Sequence, residues 1–514
     1  MTQDTALSRR SAAVPRQMFS RVQSRQAYRR LVGGFAIAAI LTTGLGTSGA
    51  WGADSSGPAG TVFESDNESG TARTIHVGGF PVVAESNPFF LDLGLNGRRC
   101  VTCHQPDQNM ALTPEGIRKR FQETAGTDPL FALNDGANSP LADVSTVGAR
   151  HRAYSMLLSK GLIRVGLPIP PGAEFELADV RDPYGYAGRN TNGNELSLFR
   201  RPLPTTNLTF LSTVMWDGRE TFQKGSALGM HFNLANQANS ATVGHAEAAK
   251  PLDEATRMAI VAYEMGLFTA QVIDHRAGDL RSGGAAGGPD VLATQPFVFG
   301  VNDPLGCDPT GTTCDPAQAQ FDPVVLDMFT AWHGVTNKGS NKARVAIARG
   351  QELFNRLPIR ITGVAGINDD FNVPVVVGTC TTCHDTPHAG NHSVPAPLDI
   401  GVADPPVPAH GRGRGVKNRF GLPVGDMPIY TLRHKTTGEL KIVTDPGRAL
   451  VTGKWKDVAR MKGPILRGLS GRAPYFHNGA AATLRDVIEF YDRRFELALT
   501  EAQKADLVAF LRAL

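Results

Sequence analysis

Two stretches of this sequence place a pair of thiols and an imidazole at the same short spacing. The two sets are Cys100, Cys103 and His104, and Cys380, Cys383 and His384. Two cysteines three positions apart, followed directly by a histidine, are typical of covalent haem attachment, in which the histidine ligates the iron. A redox-active pair or half of a zinc site would use the same cysteine spacing. Because the whole pattern occurs twice, we predict two covalently bound haem c groups.

The beginning of the chain carries the pattern of a secretory signal. Seven arginines lie within residues 1–30, and an apolar stretch, 31–47, follows them. Small residues around Ala50 and Ala53 come next, so a basic region, an apolar region and a cleavage site stand in the usual order. An uncleaved anchor is the alternative, although the stretch is short for a membrane span and rich in glycine. We therefore predict a signal peptide and leader over 1–53, a periplasmic location and no stable membrane insertion after cleavage.

Length and charge bound what the rest of the chain can be. Its 514 residues are enough for two or three domains, and the 41% of hydrophobic residues is ordinary for a globular protein. The formal net charge is +4 at pH 7, and the seven leader arginines account for more than that excess. The remainder is slightly acidic, so we expect no nucleic-acid partner.

Two cysteines lie outside the haem attachment motifs. Cys307 and Cys314 stand seven positions apart in a segment rich in glycine and proline. In an oxidising compartment this pair favours a disulfide that closes a small loop. A metal site is the weaker alternative, because the segment contains no histidine.

Helical patterns dominate the rest of the sequence. Thr113 followed by Pro114 predicts a helix start, and apolar residues at helical spacing run through 251–273. Thr500 with Gln503 fits a capping box that opens an amphipathic helix at the end of the chain. We find no long alternating run that would indicate a large sheet. The predicted fold is therefore mainly α, with two cytochrome c-like haem domains and long loops.

Composition also divides the chain. Residues 54–84 are rich in Ser, Gly, Asp and Glu and predict a flexible N-terminal segment. We expect a first haem domain over 85–335 and a second, C-terminal haem domain over 340–514. His388 and His392 follow the second attachment motif closely, and we interpret them as surface residues.

Three motifs in this order resemble those of the bacterial di-haem cytochrome c peroxidase and MauG superfamily. They are the two CxxCH motifs, the segment Met215–Arg219 between them, and the segment Ala473–Gly479 near the end, which is similar to the APYxHDG signature. The resemblance covers roughly residues 85–514. It implies that His104 ligates a peroxide-reacting haem iron and His384 an electron-transfer haem iron. Trp216 would relay electrons between them, because an indole is oxidisable; a core aromatic residue is the alternative.

The sequence departs from this family on the side where peroxide would bind. Family members carry a histidine beyond the first attachment motif that blocks the iron, and none occurs here before His151. We therefore predict an open N-terminal haem. A distal glutamate is expected about twenty residues after the tryptophan, where Asn236 stands. An insertion would leave Gln237, His245 and Glu247, of which we take His245 and Glu247 as the catalytic candidates.

The second haem would also differ from that of a simple relay. Family peroxidases place a methionine ligand fourteen residues after the histidine of APYxH, and Tyr491 occupies that position here, as in MauG-type members. Tyr491 is the predicted distal iron ligand, with Met427 and Met461 as alternatives. The family's interdomain calcium is poorly matched, because Arg472 stands where a threonine is usual.

These expectations define three functions. The first is a periplasmic di-haem peroxidase, an oxidoreductase that reduces hydrogen peroxide with electrons from a small cytochrome or a cupredoxin. The second is a MauG-like or rubber-oxygenase-like enzyme that oxidises a protein or organic substrate. The third is a di-haem electron carrier without catalysis, which requires two strong axial ligands on both irons.

Overall fold

The structure is a computed structural model that describes residues 62–77, 86–186, 195–409, 411, 413 and 415–514. The predicted signal peptide and leader, 1–53, lie outside the described residues. All described residues belong to one unit, Pro58–Leu514, and the predicted boundary between the two haem domains stays a prediction. Within the described ranges, no helix combines the length and apolar character needed to cross a membrane.

Helices and strands both contribute to the described fold. The helices are α1 (Pro114–Thr124), α2 (Val147–Ala153), α3 (Ser155–Lys160), α4 (Ala227–Gly244), α5 (Glu254–Met265), α6 (Pro289–Ala293), α7 (Asn341–Arg356), α8 (Ala449–Thr452), α9 (Leu484–Phe495) and α10 (Glu501–Arg512). The strands are β1 (Val62–Asn67), β2 (Gly70–His76), β3 (Ile163–Pro168), β4 (Phe175–Arg181), β5 (Glu195–Arg200), β6 (Leu267–Asp274), β7 (Gly278–Asp279), β8 (Ile359–Ile361), β9 (Val376–Gly378), β10 (Ile429–His434) and β11 (Leu440–Val443).

The strands correct the prediction of a mainly α fold. A four-stranded antiparallel sheet has the order β1-β2-β6-β7, and a three-stranded sheet has the order β11-β10-β4. Two further pairs join β3 to β5 and β8 to β9. The strands are short and several pair with partners far away in sequence, so alternation within any one of them is too brief to reveal a sheet.

The segment predicted to be flexible over 54–84 contains β1 and β2, and that prediction is wrong for these residues. The two strands pair around a tight turn, and β2 continues the sheet to β6. Thr74 is fully buried and its hydroxyl lies 2.7 Å from that of Thr269 on β6. The polar composition that suggested disorder therefore belongs to strands whose partners lie about two hundred residues later.

The apolar spacing over 251–273 does not form one continuous helix. Asp253 caps the start of α5, which ends at Met265, and β6 follows after Gly266. Nearly every residue of β6 is buried, because the strand lies between β2 and β7. In sequence, a strand that is buried on both faces is a continuous run of apolar residues. Over a few residues such a run also satisfies the spacing of a helix.

The last helix confirms the predicted capping box and closes an apolar core. The Thr500 side chain accepts from the backbone N–H of Gln503, and the Gln503 side chain accepts in return. The predicted cap of α1 by Thr113 is also present. Helix α10 crosses α7 at Gly350, where an added Cβ would lie 2.0 Å from the Asp506 carbonyl oxygen. The crossing therefore requires glycine at this position of α7.

We predict that Gly350→Ala destabilises the protein by about 1–3 kcal/mol, because the new methyl group collides with the α10 backbone. Gly244→Ala is the matched control, since a Cβ at this helical glycine meets no atom within 4 Å. The control should change the free energy of unfolding by less than about 1 kcal/mol, in the stabilising direction. Urea unfolding of the holoprotein measures both variants. Equal effects would show that α7 and α10 do not cross at Gly350.

Candidate haem sites

The two attachment motifs share one local backbone structure. Each forms a single 3-10 turn, Cys100–Thr102 in the first and Cys380–Thr382 in the second. In each turn the threonine hydroxyl accepts from the N–H of the residue preceding the first cysteine, at 3.0 Å for Thr102 and 2.9 Å for Thr382. The repeated sequence pattern is therefore also a repeated structure.

The four thiols of these motifs are buried and protonated. Burial raises the pKa of Cys100, Cys380 and Cys383 to about 12 and that of Cys103 to about 11. All four cysteines are free of disulfides. A redox-active pair would carry a thiol of lowered pKa, so this environment does not favour disulfide exchange. Covalent attachment to a haem remains the interpretation that fits them.

The histidines of the motifs are neutral imidazoles. Burial lowers the pKa of His104 and of His384 to about 4, so both are unprotonated near neutral pH. Nδ1 of His384 lies 2.6 Å from the Gly390 carbonyl oxygen, which holds the proton on Nδ1 and leaves Nε2 available to iron. Met110 stands six residues after His104, just as Gly390 stands six residues after His384. The backbone of Met110 raises the pKa of His104, and that of Gly390 raises the pKa of His384, each against the larger effect of burial.

The first motif opens into a mainly apolar cavity of about 270 Å³. The wall includes His104, Trp216, His245 and Glu264 together with both cysteines of the motif. The structure therefore brings two of the three predicted catalytic residues into one space with the first predicted iron ligand.

His245 is held in place by a buried carboxylate. It follows the last residue of α4, and its Nδ1 contacts Oδ2 of Asp135 at short range. Arg98 binds the other carboxylate oxygen at 2.5 Å, and both Arg98 and Asp135 are buried. Burial would raise the pKa of Asp135, but its contact with His245 and its ion pair with Arg98 hold that pKa below the ordinary value. A histidine oriented by a carboxylate keeps its second nitrogen free to exchange protons.

The end of α4 is fixed to the loop before the first attachment motif. Helix termini leave carbonyl groups without helical partners. Asn96 donates to the His245 carbonyl at 2.9 Å, and Asn134 donates to the Gly244 carbonyl at 3.0 Å. Arg98 adds a 3.2 Å bond to the His245 carbonyl. These bonds fix the His245 backbone, and neither asparagine nor Asp135 was identified from the sequence.

The other predicted candidates on this side lie elsewhere. Glu247 is exposed and outside the cavity wall, which corrects its prediction as a catalytic residue. Gln237 does line the cavity, whereas Asn236 donates to Glu220 at 2.7 Å. His151 is exposed on α2 and does not line the cavity.

Trp216 lines the cavity and contacts the segment Ala473–Gly479 near the end of the chain. Its Nε1 donates to the Arg201 carbonyl at 2.8 Å, and its ring packs edge-on against that of His477 with centroids 6.2 Å apart. His477 is buried, and burial lowers its pKa to about 4, so it is a neutral ring. Phe476 lines the same cavity and packs 6.4 Å from Tyr491 on α9.

Three cations of the cavity wall are buried without a carboxylate partner among the described residues. Burial lowers the pKa of Arg201 to about 10, of Arg472 to about 9 and of Lys462 to about 8, yet each stays charged at neutral pH. Nε and Nη2 of Arg472 have no hydrogen-bond partner. Buried charges need anions nearby. Haem propionates are carboxylates, so these cations fit a haem in this cavity; Arg472 also disfavours a calcium ion beside it.

Glu264 is a buried acid that sequence analysis missed. One oxygen accepts from the Thr205 hydroxyl at 2.9 Å, and the other has no partner. Burial raises the pKa of Glu264 to about 7, so the group is close to half protonated near neutral pH. It can therefore hold or release a proton at the edge of the cavity.

Tyr491 lies close to the second attachment motif. Burial raises the pKa of its phenol above the ordinary value, and the two thiols of this motif raise it further. Its ring stacks on Phe495 with centroids 6.2 Å apart. Met427 belongs to the same apolar cluster, whereas the backbone of Met461 pairs with that of Leu398. The role of Tyr491 as an iron ligand stays a prediction.

Comparison with known proteins gives three relatives of one kind. The chain is 31% identical over 198 residues to the cytochrome-c peroxidase IdrP1 of Pseudomonas sp. (strain SCT), which is 35% of this chain and 42% of that protein. It is 29% identical over 153 residues to IdrP2 of Denitromonas iodatirespirans, 28% of this chain and 38% of that protein. IdrP1 of the latter organism is 38% identical over 81 residues, 14% of this chain and 22% of that protein. The chain thus spans less than half of these relatives.

These relatives agree with the resemblance to the di-haem cytochrome c peroxidase and MauG superfamily that the sequence motifs indicate. No family model matches it. Among solved structures, a MauG-like protein associated with microbial copper homeostasis aligns over 62% of this chain and 76% of its own, with 16% identity and a TM-score of 0.28.

We predict two covalent haems per chain. Intact mass of the purified mature protein should exceed that of the polypeptide by two haems. The double variant Cys100→Ala/Cys103→Ala should lose one of them, because a haem is attached through both thiols. Cys307→Ala/Cys314→Ala is the matched control: this pair forms a disulfide, and its removal should leave both haems attached. A wild-type mass increment of one haem or none would contradict the assignment.

We also predict that Tyr491 ligates the iron held by His384. A phenolate is a hard anionic ligand that stabilises ferric iron, whereas a thioether favours ferrous iron. The ferric protein should therefore lack the weak near-infrared band of methionine ligation, and Tyr491→Phe should change the spectrum of one haem only. Met427→Leu and Met461→Leu are the controls and should leave that spectrum unchanged. A near-infrared methionine band that survives Tyr491→Phe would show that the ligand is one of the two methionines.

Proposed function

We propose that the protein is a periplasmic di-haem peroxidase that reduces hydrogen peroxide with electrons from a small redox protein. The observation that carries the proposal is the pair formed by His245 and Asp135 in the cavity that also holds His104 and Trp216. An acid–base group, an iron ligand and an oxidisable ring in one buried space are the components that peroxide reduction needs.

A haem bound at the first motif would supply an iron that binds peroxide and takes part in its two-electron reduction. The residues of this chain supply the proton transfers. His245 accepts a proton from one peroxide oxygen through its free nitrogen and returns it to the leaving oxygen. Asp135 fixes the ring tautomer and stabilises the protonated imidazole, and Arg98 keeps Asp135 ionised and oriented. The three residues act as a unit.

Water formation consumes further protons, and Glu264 is placed to provide them. Its pKa of about 7 matches the working range of an acid that both gives and takes protons near neutral pH. Glu264 belongs to the cavity wall; Thr205 holds one of its oxygens, and the other has no partner. We infer that Glu264 is a proton reservoir for the cavity rather than the distal residue.

Electrons would reach the first haem by way of Trp216. The indole borders the cavity and packs against His477; the preceding residue, Phe476, packs against Tyr491, which lies close to the second attachment motif. The ring-to-ring distances of 6.2 and 6.4 Å along this path are those of packed aromatic residues. An oxidisable ring in this position divides one long electron transfer into two shorter ones. The donor would be a small cytochrome or a cupredoxin, by analogy with the superfamily.

Tyr491 favours a second candidate, a MauG-like oxidase of a protein or organic substrate. A tyrosine at this position would lower the potential of the second haem and make it a weaker electron acceptor from a donor protein. Steady-state consumption of peroxide with a reduced cytochrome c as the donor separates the two. Rapid turnover supports the peroxidase, whereas peroxide binding without donor turnover supports the oxidase.

An electron carrier without catalysis is separated by exogenous ligands. The absence of a histidine between the first attachment motif and His151 predicts that the N-terminal haem binds cyanide without prior reduction. His245 is the cavity residue that could occupy the sixth position instead. A wholly low-spin ferric spectrum that becomes high-spin in His245→Ala would make His245 an iron ligand and favour the carrier.

For the peroxidase we predict that His245→Ala slows peroxide consumption by about 10²–10⁴-fold, the range of a general acid–base group. Asp135→Asn should produce a smaller loss, because the imidazole remains but loses its orienting charge. Glu247→Ala is the matched control, two residues away and exposed, and should retain wild-type rates.

Both haems should remain attached in all three variants, as checked by mass and by the ferrous spectrum. Equal rates in His245→Ala and Glu247→Ala would show that neither residue serves the distal side. If added imidazole restores the rate lost in His245→Ala, the missing group is an imidazole.

A further inference from the structure

A buried group of polar residues lies next to the second attachment motif and outside the cavity. It consists of Asp303, Asp385 and His392, whose nearest carboxylate and ring atoms lie within 4.8 Å of one another. Their exposed fractions are 4%, 0% and 3%. His392 was interpreted from sequence as a surface residue, and the structure corrects this. None of the three has a role in the proposed function.

Several atoms of this group lack hydrogen-bond partners. Nδ1 of His392 lies 2.7 Å from Oδ2 of Asp385, yet neither atom makes a hydrogen bond of acceptable geometry, and Nε2 of His392 has no partner either. The neighbouring Asn391 Oδ1 and Ser393 Oγ are also buried and unpartnered. Buried polar atoms are nearly always paired, so orphan atoms concentrated in one place indicate a ligand that they share.

The charges of the group point to a cation. Two carboxylates are buried side by side, and among the described residues no lysine or arginine forms an ion pair with Asp303 or Asp385. Backbone N–H groups donate to both oxygens of Asp303, from Cys307 at 2.6 Å and Leu305 at 3.3 Å, and to one oxygen of Asp385, from Ser393 at 2.7 Å. A protonated His392, 2.7 Å from Asp385, would offset only one of the two negative charges, whereas a divalent cation would balance both.

Two parts of the fold position the three side chains: the segment of Asp303, and the loop after the second attachment motif, which carries both Asp385 and His392. Asp303 precedes the loop that the Cys307–Cys314 disulfide closes. Asp385 directly follows His384, and the carbonyl of His392 accepts from the Ser212 hydroxyl at 2.7 Å. The donor atoms are therefore brought together by independent contacts, as in a built metal site.

We propose that Asp303, Asp385 and His392 bind one divalent transition-metal ion of the zinc class. Two carboxylate oxygens and one imidazole nitrogen suit zinc, which takes three protein ligands and a water in open sites. Calcium prefers oxygen ligands throughout, so the histidine disfavours it.

Such an ion would anchor the disulfide-closed loop to the segment that carries the second attachment motif. The inference does not depend on the proposed peroxidase activity, because it concerns a separate group of residues. It also differs from the calcium considered near Arg472, which involves other residues and another class of ion.

The test uses the full mature holoprotein. After treatment with EDTA, isothermal titration with Zn²⁺ should give one binding event per chain, and the melting temperature should rise on addition of Zn²⁺. His392→Gln and Asp303→Asn should lose this binding while retaining both haems. His388→Gln is the matched control, since it removes a histidine four residues away that is not part of the group, and it should bind Zn²⁺ as the wild type does.

Two results would overturn the proposal. One is wild-type protein that neither binds Zn²⁺ stoichiometrically nor gains thermal stability from it. The other is binding in His392→Gln equal to that in His388→Gln. If the His392 and Asp303 variants fail to fold, chelation and re-addition on the wild type still decide, because a bound ion must lower the melting temperature when removed and restore it when returned.

Discussion

The buried guanidinium of Arg200 is the interaction on which the arrangement of the haem sites depends. It lies at the end of β5 with an exposed fraction of 2%, 2.5 Å from Asp217 and 2.7 Å from Asp445. Arg200 lowers the pKa of Asp217 to about 2 despite complete burial. This network joins three distant segments and fixes Trp216, the neighbour of Asp217. Removing one partner of a buried ion pair costs about 3–5 kcal/mol, so the position of Trp216 is strongly determined.

The two attachment motifs have the same backbone structure but different surroundings, which is the basis for proposing different roles for them. The first faces a cavity whose wall offers an acid–base pair, His245 with Asp135, and three cations without carboxylate partners in the described structure. The second lies close to the phenol of Tyr491 on α9. An accessible iron beside a proton donor suits reaction with peroxide, whereas an iron closed in by side chains suits electron exchange. The asymmetry therefore arises from tertiary packing rather than from the motifs.

Features of the fold that depend on a few neighbouring residues were predictable from sequence. The cap of α1 by Thr113, the capping box of Thr500 and Gln503, and the Cys307–Cys314 disulfide all occur as expected. Each depends on contacts within about seven residues, so spacing and residue type are sufficient to specify it. The four-stranded sheet was missed because its central pairing, β2 with β6, joins segments that neither composition nor periodicity connects.

The amino-acid sequence by itself specifies the two CxxCH motifs, from which we predict haem attachment and one histidine ligand each, and it places Tyr491 where the family resemblance leads us to expect methionine. Only the tertiary structure decided which side chains lie in the cavity beside the first attachment motif. His245 acquires its orienting carboxylate from Asp135, 110 residues earlier, whereas Glu247, two residues further on, is exposed and outside the cavity wall. Burial, which shifts the pKa of Glu264 to about 7, is likewise a property of packing. Covalent chemistry is specified by residue type and spacing, whereas proton and electron transfer depend on distances that only the folded chain defines.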